Sequence, residues 1–191
     1  MKKLLNPIEF FNDKKLLIAN IIIFVIGTII SVFMKAWFCS IIQTLFKSKI
    51  NAYETILENI ICIILLTSIF YTAGKIANKK TRLLDCLNLS FFIRIPFYLV
   101  SLLNVSGILS EKMPSKSQDG TIKIPSAPSS IDYIISITSS ILSLIIIVYL
   151  IFLIYNSFKT LSNAKKTSNY LILMILFIAI TIFSPTILNL I

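Results

Sequence analysis

Five apolar runs, each long enough to cross a lipid bilayer, leave this chain little room for any other architecture. Residues 16–34 form the simplest of them, with Asn20 as the only strongly polar side chain. A helix over that stretch is about 29 Å long, close to the thickness of the hydrocarbon core. In lipid the backbone must satisfy its own hydrogen bonds, which makes helix the expected form. Four further runs follow at 55–73, 83–109, 133–157 and 170–191. The expected fold is therefore an all-α integral membrane protein of five transmembrane helices, with residues 16–191 as one membrane domain.

Composition agrees. The chain is 57% hydrophobic and only 14% charged, whereas a soluble domain is about half apolar and about a quarter charged. The net charge of +10 does not point to nucleic acid, because the lysines flank the apolar runs instead of forming one face. The positive-inside effect accounts for them. There is no histidine, hence no common general base or metal ligand. Cys39, Cys62 and Cys86 lie far apart without CxxC spacing and read as small apolar fillers. No run holds paired carboxylates at helical spacing, and no glycine-rich phosphate loop is present. Enzymatic activity and a cofactor are not expected.

The connections carry the finer features. Residues 1–15, MKKLLNPIEFFNDKK, place Asn6, Pro7 and Glu9 as a helix start and then set Phe10 and Phe11 beside Lys14 and Lys15. This reads as an amphipathic segment on the cytoplasmic surface, or else as the plain start of the first span. In residues 35–53, Trp37, Phe38, Ile41, Ile42, Leu45 and Phe46 recur at helical spacing between lysines. That pattern predicts a short interfacial helix, or an extension of the first span bent at Lys35. Gly74 marks the expected end of the second span. Residues 110–132, rich in serine and proline, have the composition of an external loop. The first run is of spanning length and lacks an A-x-A site, so it reads as a span rather than a cleaved leader.

The run at 83–109 differs from the others. Arg94 and Pro96 sit near its middle, with Asp85 and Asn88 towards its start. An arginine at a helix centre costs about 2.5–3.5 kcal/mol on insertion scales, and a proline removes one helical hydrogen bond. Two readings follow. In one, a single kinked helix spans the membrane; in the other, 83–93 lies along the inner interface and the span begins near Arg94. Arg94, Pro96, Asn88 and Asp85 form a candidate intramembrane polar site, in which Arg94 either meets an anionic partner or snorkels to the interface. Glu58 is an unsuitable partner, because it lies towards the opposite end of its span.

Lysine and arginine alternate by side. The amino-terminal segment and the second and fourth connections carry eleven, against six on the other side. The amino terminus is therefore expected in the cytoplasm and the carboxyl terminus outside. Lys75, Lys79, Lys80, Arg82, Lys165 and Lys166 form a basic inner face. It either binds anionic lipid or an acidic protein, or serves only to set topology.

Several segments together resemble the bacterial branch of the Yip1 family: NPIEFF at the start, the basic second connection, FFIRIP in the third span, and SFKTLSNAKKTSNYLILMIL before the last. The acidic DLYGP-type motif of the eukaryotic members is absent. The resemblance implies a five-span helical protein of the bacterial cytoplasmic membrane with a cytoplasmic amino terminus. The function expected on that footing is a non-enzymatic scaffold or adaptor engaging lipid and a membrane-protein partner. The alternative is a small permease, or a membrane subunit of a transporter, with Arg94 lining the path.

Overall fold

The computed structural model describes residues 13–47, 50–104, 115–116, 122–123, 130–163 and 166–188. Five helices in it are long and apolar enough to cross a membrane. These are α1 (Asp13–Phe33), α2 (Ala52–Ala77), α3 (Leu83–Ser101), α4 (Ser130–Ser162) and α5 (Thr167–Leu188). The chain is thus a mostly helical, multi-pass membrane protein. The amphipathic segment expected at 1–15 lies outside the described residues up to position 12, as does most of the connection 110–132. Within that connection Ser115–Lys116 and Ile122–Lys123 pair antiparallel.

Local chemistry sets the helix ends. Asn51 caps α2 by accepting from the Tyr53 amide at 3.1 Å, which satisfies one of the unpaired amides of the first turn. The helix does not stop at Gly74 but runs on to Ala77. Gly74 is buried, and a side chain there would press on Thr81 and Leu161. Its role is to let the following turn and α4 come close. α3 is continuous from Leu83 through Arg94 and Pro96, then tightens into a short 3-10 turn at Leu102–Asn104. The whole of 83–101 is therefore one helix, as the single-helix reading expects.

The largest departure from expectation is the first connection. Among the described residues of 35–53 there is no interfacial helix; a hairpin stands there instead. Ala36–Ser40 (β1) and Gln43–Phe46 (β2) form an antiparallel hairpin, with Ala36 opposite Phe46, Trp37 opposite Leu45 and Ser40 opposite Gln43. Lys35, with φ of 54°, turns the chain from α1 into β1, as residues in the left-handed region do at helix ends. The apolar pairs 37/38, 41/42 and 45/46 fit a helix face, but they equally fill the two arms and the tip of a hairpin. The tip, Ile41–Ile42, has none of the glycine or asparagine that announces such turns.

Side chains along α1 and α3 meet in the order that parallel helices require. Asn20 donates to the Asn88 side chain at 3.2 Å, and the Ser31 and Ser101 hydroxyls lie 3.2 Å apart. Asn104 donates to the Met34 carbonyl at 2.7 Å. Asn20, the only strongly polar side chain of the first run, is thus a helix–helix contact. Interhelical hydrogen bonds in membranes are worth about 0.6 kcal/mol on average and about 1.7 at most. Asn20→Leu is expected to lower stability by about 1 kcal/mol in micelle unfolding. A loss above about 3 kcal/mol would mean that the pair holds more than α1 against α3.

Candidate functional site

α3 carries Arg94 eleven residues past Leu83, about 16 Å along the helix and close to its middle. The side chain is 0% exposed, so it turns into the bundle and does not snorkel. Its Nη1 donates to the Ile41 carbonyl at 3.2 Å and its Nη2 to Asn59 Oδ1 at 2.9 Å. The same Asn59 oxygen accepts from the Tyr98 hydroxyl at 3.3 Å, while Asn59 Nδ2 donates to the Thr55 carbonyl at 3.1 Å. Three aromatic rings close the site. The guanidinium carbon stands 4.3 Å from the Phe38 ring centroid, 5.2 Å from Phe97 and 6.0 Å from Tyr98. Aromatic faces offer a buried cation weak negative potential where water is excluded. Among the described residues no carboxylate lies within ion-pair distance of Arg94, and its Nε has no hydrogen-bond partner.

The hairpin reaches this depth because helix side chains satisfy its backbone. Non-helical backbone inside a membrane survives only where protein buries and pairs it. β1 is irregular between Trp37 and Ser40, so the ladder leaves groups to be paired elsewhere. Glu58 accepts from the Phe38 amide at 3.3 Å. The Ile41 amide donates to Ser184 Oγ at 3.4 Å, and the Ser40 and Ser184 hydroxyls are 2.8 Å apart. The Cys62 thiol donates weakly to the Ser40 carbonyl at 3.8 Å. Three helices thus hold one strand: α2 through Glu58 and Cys62, α3 through Arg94, and α5 through Ser184. Phe38 carries an anion at its amide and a cation over its ring. Glu58, discounted as a partner for Arg94, faces the hairpin instead.

The polar group anticipated around Arg94 separates into distinct contacts. Asp85 meets Arg82 Nε at 3.4 Å. Asn88 meets Asn20 and donates to the Asp13 carbonyl at 3.3 Å. Pro96 lies inside α3, buried. The residues that do surround Arg94 include Asn59, Phe38, Ile41 and Tyr98, which no motif or periodicity connects. Asn59 alone carried a signal, as an amide inside an apolar run, and its spacing to Arg94 in the chain offers no period to read.

A second feature is the end of the bundle opposite the hairpin. Arg82 bonds Asp13 at 3.1 Å as well as Asp85, so its charge is locally neutralised. Lys75 donates to the Lys79 carbonyl at 2.8 Å and lies 5.3 Å from the Tyr71 ring. Lys79, Lys80 and Lys166 are exposed, whereas Lys165 lies outside the described residues. Gly74 packs against Thr81 and Leu161, which brings the ends of α2 and α4 and the start of α3 to one face. No family model, curated protein or solved structure matches this chain. The site is read from its own geometry.

Proposed function

We propose that the protein is a non-enzymatic, five-span scaffold or adaptor of Yip1 type in a bacterial cytoplasmic membrane. Its amino terminus and basic end face the cytoplasm, where the basic end engages anionic lipid and a membrane-protein partner. The observation that carries this reading is the gathering of Lys75, Lys79, Lys80 and Lys166 at one end of the bundle. Arg82 beside them is ion-paired to Asp13 and Asp85. Each such lysine contributes about 1 kcal/mol of attraction to an anionic surface. The interior supports the same reading, since most of its polar side chains find hydrogen-bond partners within the bundle.

The test is purification in native-lipid nanodiscs with mass spectrometry of co-purifying lipids and proteins. Anionic lipid and a stoichiometric partner are expected with the wild type. Lys75→Gln/Lys79→Gln/Lys80→Gln should reduce both by about tenfold or more. Unchanged recovery would leave the lysines as topology determinants only. A permease is the second reading, favoured by a buried guanidinium with no carboxylate beside it. Solute flux in liposomes that Arg94→Lys abolishes, with the lipid and partner profile intact, would establish that reading instead.

A further inference from the structure

An apolar groove of about 320 Å³ runs between α4 and α5 on the lipid-facing side. Its walls are two helical rows: Ile151 and Tyr155 on α4, and Tyr170, Met174 and Ile178 on α5. At one end the Tyr155 and Tyr170 rings stack with centroids 5.0 Å apart. One turn beyond Tyr155 stands Lys159, and four residues before Tyr170 stands Lys166, both exposed. The connection from Phe158 to Asn169 contains no acidic residue.

We propose that this groove is a binding site for one anionic phospholipid, with an acyl chain between α4 and α5 and the phosphate at Lys159 and Lys166. The inference rests on the basic-end reading given above and assigns it a defined lipid position. Charge complementarity selects an anionic headgroup. Tyrosine rings sit at the boundary where headgroup meets chain, as aromatics in membranes do, and the lysine stems reach past them to the interface. Length selects a lipid over a helix. From Tyr170 to Ile178 the groove extends about 12 Å, within one leaflet of a core about 30 Å thick. A partner helix would need contacts along the whole span, whereas a chain entering from the Lys159 side needs only this depth.

The test uses purified full-length protein in mild detergent, titrated with phosphatidylglycerol or phosphatidylcholine and read by native mass spectrometry. One phosphatidylglycerol is expected to remain bound through delipidation, with phosphatidylcholine at least about tenfold weaker. Lys159→Gln/Lys166→Gln should erase that preference. Met174→Trp, at a lipid-exposed position where a larger side chain does not burden the core, should fill the groove and remove the retained lipid. Thermal unfolding of each variant confirms that the fold is kept. Equal retention of the two lipids, or full retention in a folded Met174→Trp protein, overturns the proposal. So does a dimer that Met174→Trp dissolves, since a second copy then occupies the groove. If lipid preference follows Lys75, Lys79 and Lys80 but not the groove variants, only the groove assignment fails. If no variant alters it, the basic-end reading fails as well.

Discussion

Asn59→Leu is expected to destabilise the protein by about 3–5 kcal/mol, more than replacing the arginine it serves. Leucine resembles asparagine in shape and suits an apolar span better, so a simple hydropathy argument predicts a small effect. The electrostatic argument predicts otherwise. Asn59 Oδ1 accepts from both Arg94 and the Tyr98 hydroxyl. Without it the guanidinium keeps one bond, to the Ile41 carbonyl, and its charge stays in a site without a carboxylate. Arg94→Met removes the charge together with its desolvation cost and leaves the Ile41 carbonyl short of a partner, a loss of about 1–3 kcal/mol. The double variant should therefore be more stable than Asn59→Leu alone. Unfolding of the four proteins in micelles measures this directly. If Arg94→Met proves the more damaging single change, Asn59 is not what makes the buried charge tolerable.

The second large effect is expected at Gly27. On an exposed helix, glycine to alanine adds roughly 1 kcal/mol of stability from helix propensity. Here the sign reverses. A Cβ at Gly27 would collide with the Tyr98 ring, and that ring is fixed by its bond to Asn59 and its edge contact with Phe38, centroids 6.2 Å apart. Overpacking in so confined a place costs about 3 kcal/mol, which exceeds the propensity gain. Gly27→Ala should thus be damaging alone and nearly neutral in a Tyr98→Ala background, where the ring is gone. An equal cost in both backgrounds would place the strain elsewhere.

The membrane fold was legible because its cause is one-dimensional. Run length and hydropathy decide spanning, and neither needs a partner to be known. The same logic reached Asn20 as the only strongly polar side chain of its run. The depth argument that set Glu58 apart from Arg94 was wrong, because Asn59, next to Glu58, bonds Arg94 at 2.9 Å. It failed at Trp37–Phe46, where an apolar pattern of period near four fits a surface helix as well as a hairpin. What decides for the hairpin is supplied by other helices: Glu58, Arg94 and Ser184 satisfy backbone groups that lipid could not. Those contacts join residues up to 143 positions apart, and no local periodicity encodes them. The site around Arg94 was missed for the same reason. A lone arginine in a span announces that partners exist, but nothing in the chain ties Asn59 or the Ile41 carbonyl to it.

The fastening of the hairpin also bears on the order in which the protein comes into being. Trp37–Phe46 leaves the ribosome soon after the first helix, yet the groups that satisfy its backbone are made much later. Cys62 and Glu58 arrive with the second helix, Arg94 with the third, and Ser184 only with the last turns of the fifth. Until then Ile41 has an amide and a carbonyl for which hydrocarbon offers no partner. The hairpin must wait at the aqueous edge or in the shelter of the insertion machinery. It is an early segment that settles last, and its docking signals that the final span is in place.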